Sequence, residues 1–193
     1  RHLAQAYAWD IATRQKDEGF PAEGVRLDGR DAAPGVVWDR GGVKVTAFPV
    51  DHGAFATPAF GYRVDANGRS VVVSGDMRFD ERVVDHARGA DVVITEVISP
   101  EVEARRAQVR DPKALERILA RHISPEQAGT LFSRIAPRLA VFTHVVPSPA
   151  TAEDLLPPAR TTYTGPLVAG YDLMTIRVGD AVEVYPRRTM SDQ

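Results

Sequence analysis

The feature that most constrains the fold is a series of short apolar runs, rich in β-branched residues, that alternate with helical segments. "VVVSG" begins at Val71, "DVVITEV" at Asp91 and "RLAVFTHV" at Arg138. Continuous apolar runs of this length are typical of buried strands. The segments "FDERVVDHARGA" and "SPEQAGTLFSRIA" have the spacing and capping residues of helices. This alternation predicts an α/β fold with helices packed on a mixed sheet.

Antiparallel hairpins are predicted on both sides of this alternating region. The segment "VKVTAFPV", residues 43–50, has the alternation and β-branching of a strand. Tyr62–Asp65 and Ser70–Ser74 flank an Ala-Asn-Gly-Arg turn, in which Asn-Gly supplies the positive φ angles of a tight hairpin. A last strand pair is predicted around Gly179 and Asp180. The segments "RHLAQAYAWDIATRQ" and "DPKALERILARH" predict two further helices.

Composition limits the class of protein. The chain has 193 residues, of which 44% are hydrophobic and 26% are charged, as in an ordinary globular protein. It has no cysteine, which excludes disulfides and thiolate metal ligands. The 24 basic residues are scattered among 26 acidic ones, so charge does not support a dedicated nucleic-acid-binding surface. The sequence also lacks the long uncharged apolar run that a membrane-spanning helix needs.

A reactive side chain follows each of several apolar strands. His52 follows "TAFPVD", Asp76 follows "VVVSG", Glu96 follows "VVIT" and His144 follows "LAVFT". Sites in α/β sheets gather outside the carboxyl ends of the strands, because several strand ends converge there on a rigid support. Two histidines and two carboxylates in this arrangement predict a metal site or an acid–base site.

Each candidate side chain also has an ordinary structural explanation. His52 has the features of a half-buried histidine bonded to a loop carbonyl, and Asp76 those of a turn residue or helix N-cap. Glu96 fits a surface strand terminus and His144 a strand end. His122 fits the C-terminal end of a helix, where the helix dipole favours a cation. The joint pattern, rather than any one residue, therefore carries the prediction of a site.

The chemistry of the donors favours zinc or a similar divalent ion. Imidazole nitrogens and carboxylate oxygens suit zinc, manganese or iron, and a carboxylate can bridge two ions. Two ions about 3.5–4 Å apart can generate hydroxide and stabilise a leaving oxygen. The ligands that this chain offers are too few to complete two ions.

Six motifs, taken in order, resemble those of metallo-β-lactamase-fold hydrolases, and of the ribonuclease Z-like subgroup in particular. They are "FPVDHGAFATPAFGYRV", "VVVSGDMR", "ADVVITEV", "RHISPEQAG", "LAVFTHVVP" and "GYDLMTIRV". Together they cover most of the chain from about residue 43 to residue 178. The resemblance implies an αββα sandwich with a dinuclear metal site.

The resemblance implies metal-binding roles for three residues. His52 matches the histidine of the family's H-G-x-P-x-x-G-Y-R segment, a ligand of the first metal, although the loop to Pro58 is longer here. Asp76 matches the aspartate of S-G-D-T-R, which bridges both metals, with Met77 in place of the threonine. His144 matches the late T-H histidine, a ligand of the second metal.

The same resemblance assigns His122 and Glu96 to catalysis. His122 matches the histidine of H-S/T-x-x-E-Q-A, and Glu96 matches the glutamate of H-E-A or H-E-V, with Thr95 where that histidine usually stands. In the family such a histidine, oriented by such a glutamate, assists the reacting phosphate or the leaving group. A charge-assisted hydrogen bond between the two would raise the imidazole pKa and suit it to donate a proton.

The family's leading His-x-His-x-Asp-His signature, which supplies ligands to both metals, is absent from this sequence. We therefore expect an incomplete sandwich, made of the end of the first αβ half and the whole second half. As a partial domain it would span residues 1–193, with its core at about residues 36–186 and a frayed tail at residues 187–193. The chain starts at Arg1 inside a helix, which predicts that it is the C-terminal portion of a longer protein.

Two functional hypotheses follow. In the first, the intact protein is a zinc-dependent hydrolase in which a metal-bound hydroxide attacks a phosphodiester or another ester-type bond of a small-molecule or nucleic-acid substrate. The isolated chain would then retain metal weakly and show negligible turnover. In the second, the chain is a non-catalytic module that acts through binding or homo-oligomerisation, because it would expose the face that the first half covers. A serine hydrolase is disfavoured because no Gly-x-Ser-x-Gly elbow is present.

Overall fold

The computed structural model describes residues 2–25, 29–107 and 112–186, and the chain forms two compact units, Arg1–Ala32 and Ala33–Gln193. The first unit contains helices α1 (His2–Ala6) and α2 (Ala8–Asp17) and a 3-10 turn at Ala22–Val25. One continuous helix was expected here, and two are found. The assignment of residues 1–193 to one partial domain stays a prediction, and the predicted tail at residues 187–193 lies outside the described residues.

The second unit contains a sheet of seven strands, which among the described residues lie in chain order. They are β1 (Gly35–Arg40), β2 (Val43–Val50), β3 (Ala59–Ala66), β4 (Arg69–Val73), β5 (Val92–Ile98), β6 (Leu139–Val146) and β7 (Leu167–Ala169). β1 to β4 pair antiparallel, and β4 to β7 pair parallel. β8 (Thr175–Val178) and β9 (Val182–Tyr185) form a separate antiparallel hairpin. The predicted mixed sheet and both predicted hairpins are confirmed.

Within the described part of this unit, five α-helices connect or follow the strands. They are α3 (Arg82–Ala87), α4 (Pro100–Ala107), α5 (Pro112–Leu119), α6 (Pro125–Ile135) and α7 (Ala152–Arg160). Sequence patterns indicate α3, α5 and α6, but α7 contains Pro157 and Pro158, which disfavour a helix. α7 forms because Thr151 and Asp154 cap its first turn and Leu155 is buried in the core. Every described helix is too short or too polar to span a lipid bilayer.

Helices cover one face of the sheet, and the main hydrophobic core lies beneath them. Its fully buried side chains include Phe48, Met77, Leu131, Phe132 and Phe142. On the other face, Leu139 and Val141 of β6 pack against the β8–β9 hairpin. Successive residues of β6 therefore contact different layers, which is the reason that its sequence is apolar without interruption.

β1 forms one edge of the sheet, and all six of its residues are exposed. Val36, Val37 and Trp38 place apolar side chains on this edge strand. An exposed edge strand with apolar side chains is a template for pairing with another chain. The predicted homo-oligomer stays a prediction.

The topology decides where the carboxyl ends of the strands lie. β4, β5 and β6 are parallel, and β2 runs in the same direction because two antiparallel pairings separate it from β4. The loops after β2 and β4 and the last residues of β5 and β6 therefore share one edge of the sheet. The predicted site residues His52, Asp76, Glu96 and His144 all lie on these segments.

Candidate metal centre

His52 lies in the loop after β2, where a hydrogen bond fixes its ring. Its Nδ1 is 3.0 Å from the backbone oxygen of Arg121. A carbonyl oxygen only accepts hydrogen bonds, so Nδ1 carries the proton and Nε2 of the neutral ring carries the lone pair. The structural explanation considered for His52, a half-buried histidine bonded to a loop carbonyl, thus describes the contact correctly. The same contact leaves Nε2 available to a metal ion. Metal-binding histidines commonly donate their other N–H to a carbonyl in this way.

The neighbouring Asp51 stabilises the turn that carries His52. Its carboxylate accepts hydrogen bonds from the Gly53 N–H at 2.9 Å and from the Arg78 guanidinium at 2.6 Å. The bond from Arg78, followed by that from Gly53, lowers the pKa of the Asp51 carboxyl. Asp51 and Arg78 were not among the predicted site residues, although the Asp-x-Gly spacing is a sequence signal for an Asx-turn.

Asp76 follows β4 through a turn that requires glycine. Gly75 has a φ of 65°, and a Cβ at this position would lie 2.5 Å from the Phe60 carbonyl oxygen. Beyond the turn, the partly exposed Asp76 carboxylate places Oδ1 3.1 Å from Nδ1 of His144. The chain thus brings one predicted carboxylate ligand into contact with one predicted histidine ligand.

Glu96 is a buried carboxylate, 1% exposed, whose Oε1 accepts three hydrogen bonds. The donors are the Met77 N–H at 3.0 Å, Nδ1 of His122 at 3.0 Å and the Ile123 N–H at 3.4 Å. Among the described residues Oε2 has no partner. The alternative that Glu96 is a surface strand terminus is therefore wrong, because its side chain is buried. The three donors compensate for the burial of the carboxylate.

His122 lies between α5 and α6, and its Nδ1 is hydrogen-bonded to Oε1 of Glu96. Burial lowers the pKa of His122, but the hydrogen bond and the negative charge of Glu96, together with the charge of Asp76, outweigh it and raise the pKa above its usual value. The Glu96–His122 hydrogen bond that the motifs implied is present. Since Nδ1 faces Glu96, Nε2 lies on the opposite side of the ring, away from this carboxylate.

His144 lies at an irregularity in the pairing of β5 with β6. Glu96 pairs with Thr143 and Val97 pairs with Val145, so His144 is the extra residue of a β-bulge. Its φ is 39°, a value in the left-handed region that a non-glycine residue rarely adopts. A bulge changes the direction in which a strand residue points. This irregularity directs the imidazole towards Asp76.

The five predicted site residues form one continuous cluster. The ring centroid of His122 lies 5.1 Å from that of His52 and 6.0 Å from that of His144. Asp76 contacts His144, and Glu96 contacts His122. Three imidazoles and two carboxylates from distant parts of the sequence therefore meet at the carboxyl edge of the sheet.

The closest set of potential ligands differs from the predicted set. Among the described residues, donor atoms of Glu96, His122 and His144 all lie within 4.8 Å of one another. Glu96 and His122 are nevertheless bonded to each other through Oε1 and Nδ1. A nitrogen that carries a proton cannot ligate a metal through the same atom. Oδ1 of Asp76 makes the same kind of contact with Nδ1 of His144, so hydrogen bonding does not distinguish the two sets of ligands. The assignment of His52, Asp76 and His144 as metal ligands stays a prediction.

A cavity of about 590 Å³ lies beside His144. Its polar lining includes Ser148, Tyr171 and Asp172. Tyr171 and Asp172 follow β7, which runs parallel to β6 and therefore ends at the same edge. No sequence motif predicted a role for these residues, although the strand-end rule that predicted His144 also applies to the end of β7.

Comparison with known sequences decides the family. The chain matches the family described as beta-lactamase superfamily domain over residues 3–145. It is 30% identical over 186 residues to the ribonuclease Z of Mycobacterium tuberculosis (strain H37Rv), covering 95% of this chain and 64% of that protein. The chain belongs to the metallo-β-lactamase superfamily. Within the superfamily it is ribonuclease Z-like, as its motifs implied.

A second relative gives the same result over a shorter region. The ribonuclease Z of Mycobacterium avium is 34% identical over 154 residues, which cover 79% of this chain and 53% of that protein. This metallo-β-lactamase-like chain thus spans 53% and 64% of the lengths of the two relatives.

Two solved structures share the fold at low sequence identity. YhfI from Bacillus subtilis, a metallo-β-lactamase-fold protein, has a TM-score of 0.59 and 16% identity, covering 89% of this chain and 62% of YhfI. Zn(2+)-bound PqqB from Methylobacterium extorquens has a TM-score of 0.53 and 16% identity, covering 72% of this chain and 52% of PqqB. These matches concern the fold alone, and they confirm the predicted metallo-β-lactamase-like α/β class.

Proposed function

We propose that this chain contributes the second part of the active site of a metal-dependent hydrolase that cleaves phosphodiester or related ester-type bonds. The observation that carries the proposal is the contact of His52, His122 and His144 beside Asp76 and Glu96. Superfamily membership supports hydrolysis as the reaction class. The fold alone would not choose the substrate, because it hosts many reactions.

The donor set fits a divalent ion of the zinc class. His52 has its Nε2 lone pair free, and His144 and Asp76 lie within hydrogen-bonding distance of each other. Imidazole and carboxylate donors suit zinc, with manganese or iron as alternatives. When bound, such an ion would act as a Lewis acid and lower the pKa of water. His52, Asp76 and His144 would hold it.

Glu96 and His122 would act on the substrate rather than on the ion. Glu96 holds the proton of His122 at Nδ1 and fixes the orientation of the ring. The opposite nitrogen, Nε2, is then the atom that would contact the reacting phosphate or donate a proton to the leaving oxygen. A phosphodiester of RNA is the leading substrate because the relatives are ribonucleases Z, and a small-molecule phosphodiester is the alternative.

The metal content of the purified chain tests the ligand assignment. We expect zinc retention to fall when His52→Ala and His144→Ala are combined, because two of three donors are lost. His86→Ala is a matched control, since His86 is exposed and stacks on Phe48 with ring centroids 4.5 Å apart. Equal metal content in the wild type and the double variant would overturn the assignment.

Turnover tests whether the site of this chain is complete. The sequence lacks the His-x-His-x-Asp-His signature, so we expect weak metal retention and negligible hydrolysis of bis(p-nitrophenyl) phosphate. Rapid hydrolysis that a chelator abolishes would support the hydrolase and overturn the partial site. Metal content independent of the three ligands, together with no turnover, would favour the non-catalytic module.

A further inference from the structure

The loop after His52 presents an aromatic ring to solvent at the rim of the site. Phe55 is 92% exposed, although it lies only three positions from a proposed metal ligand. A short 3-10 turn, Ala54–Ala56, carries it, and the Ala56 N–H donates to the Gly53 carbonyl at 3.1 Å. A defined backbone turn therefore carries Phe55 at the position where this loop is longer than the family motif.

Arg121 joins this ring to the rest of the site. Its guanidinium carbon lies 5.7 Å from the centroid of the Phe55 ring, in cation–π geometry. Its Cγ would lie 3.6 Å from a Cβ at Gly53, so its stem runs along the same loop. Its carbonyl oxygen holds His52, and the next residue is His122. Phe55 and Arg121 thus lie beside His52, a proposed metal ligand, and beside His122, a proposed catalytic residue.

The charge of Arg121 is available to an anion. In the part of the chain that the structure describes, no carboxylate pairs with its guanidinium. Two other arginines near this edge are neutralised: Arg78 by Asp51 at 2.6 Å, and Arg82 by Asp80 at 2.7 Å. Phe55 and Arg121 therefore offer an open aromatic surface and an unpaired cation next to each other.

We propose that Phe55 and Arg121 form a substrate-binding subsite for the nucleotide next to the scissile bond. The base stacks on the ring of Phe55, and the guanidinium of Arg121 contacts a phosphate oxygen. An aromatic platform of this kind binds single-stranded nucleic acid with little sequence preference, because every base has a π-face. The inference rests on the proposed function and narrows its substrates to phosphodiesters that carry a planar ring.

Binding of a fluorescein-labelled, short single-stranded oligoribonucleotide to the full chain tests this subsite. Fluorescence anisotropy gives the Kd for the oligonucleotide and for an abasic oligonucleotide with the same backbone. We expect Phe55→Ala to raise the Kd for the base-containing ligand about tenfold, and Phe55→Tyr to preserve it. Neither variant should alter the Kd for the abasic ligand. Arg121→Ala should raise the Kd for both ligands, since it removes a phosphate contact. The backbone carbonyl of residue 121 that accepts from His52 remains in this variant.

A matched control is available on the β8–β9 hairpin. There Arg177 lies over the ring of Tyr185 at 5.5 Å, and Tyr185→Ala should leave both Kd values unchanged. An unchanged Kd in Phe55→Ala, or no binding by the wild type, would overturn the subsite. Zinc content, measured for the wild type and for the His52→Ala/His144→Ala double variant, separates failure of the subsite from failure of the metal centre. If the zinc content still depends on His52 and His144 while Phe55→Ala leaves the Kd unchanged, only the subsite is rejected. If the zinc content does not depend on His52 and His144, the metal centre itself is rejected.

Discussion

At the scale of single residues, His144 combines an unfavourable backbone with a useful side-chain direction. Its φ of 39° crowds the β-carbon against the following carbonyl, a conformation that costs an L-residue about 1–2 kcal/mol. The same bulge brings its imidazole to Asp76 and next to His122. Strain of this kind persists only where the surrounding structure holds it, here through the pairing of Thr143 and Val145 with β5 on either side of His144.

Replacement of His144 tests the strain directly. Both His144→Gly and His144→Ala remove the imidazole, but only glycine adopts a positive φ freely. We expect the glycine variant to be more stable than the alanine variant by about 1 kcal/mol. Chemical denaturation measures the two free energies of unfolding, and equal values would contradict a strained backbone.

Glu96 is expected to matter for stability as well as for orientation of His122. In Glu96→Ala the N–H groups of Met77 and Ile123 and Nδ1 of His122 lose their buried acceptor, with an expected loss of about 2–3 kcal/mol. Glu96→Gln keeps an acceptor oxygen and should lose less. Glu101→Ala, at an exposed position of α4, is the control for removal of a glutamate. Similar unfolding free energies for Glu96→Ala and Glu101→Ala would disprove the structural role.

At the scale of elements, the start of α6 determines where His122 lies. The Ser124 hydroxyl accepts from the Gln127 N–H at 3.3 Å, and the Gln127 side chain accepts from the Ser124 N–H at 3.1 Å. This reciprocal cap places the N-cap residue of α6 two residues after His122. Leu131 and Phe132 then anchor α6 on the sheet, so a rigid element supports the Glu96–His122 pair.

Removal of the cap should therefore weaken the support of the site. Ser124→Ala is expected to lower the free energy of unfolding by about 1 kcal/mol, since the first turn of α6 loses an acceptor for its free N–H groups. Thr130→Ala is the internal control, because its hydroxyl only bonds back to the Glu126 carbonyl within the helix. Thermal unfolding compares the two variants. A smaller effect for Ser124→Ala than for Thr130→Ala would show that the cap is unimportant.

At the scale of the whole second unit, an ion pair connects the large sheet with the β8–β9 hairpin. The Asp91 carboxylate accepts from the Ser70 N–H at 2.9 Å and from the Arg138 guanidinium at 2.7 Å. Arg138 also donates to the Gly179 carbonyl at 3.0 Å, in the turn of the hairpin. The Asp91 carboxylate thus joins β4 to Arg138, the residue before β6, and Arg138 extends the connection to the hairpin.

The stability of the fold should depend on the ionisation of Asp91. Burial raises the pKa of Asp91, but the hydrogen bonds from Arg138 and Ser70 outweigh it, and the pKa in the folded state is lowered. Such a carboxyl stabilises the fold above its unfolded pKa of about 3.9, and this stabilisation is lost as the pH falls through the lowered folded pKa.

Urea unfolding at neutral and acid pH measures this effect. Asp91→Asn is expected to be less stable than the wild type by about 1–2 kcal/mol at pH 7, and to lose less stability below about pH 4. Asp85→Asn, at an exposed aspartate, should follow the wild type. Parallel pH curves for the wild type and Asp91→Asn would contradict the linkage.

Much of the site could be predicted because it depends on local patterns and on one topological rule. Uninterrupted apolar runs identify β4, β5 and β6 as buried strands, and polar residues after them lie at the shared carboxyl edge. The rule places Asp76, Glu96 and His144 together without knowledge of side-chain contacts. The same rule extends to the end of β7, where Tyr171 and Asp172 line the cavity beside His144. α7 was missed because its two prolines disfavour a helix in isolation, and packing of Leu155 compensates for them.

The sequence by itself determined the buried strands β4, β5 and β6, the hairpin turns, the cap of α6 and the residue types available for a metal site, since these follow from spacing and backbone preference. Only the tertiary structure decided the bulge at His144, the three donors to Glu96, the carbonyl that fixes His52 and the position of Arg121 over Phe55. Each of these is a contact between residues far apart in the chain. Such contacts depend on strand register and burial, which no local pattern specifies.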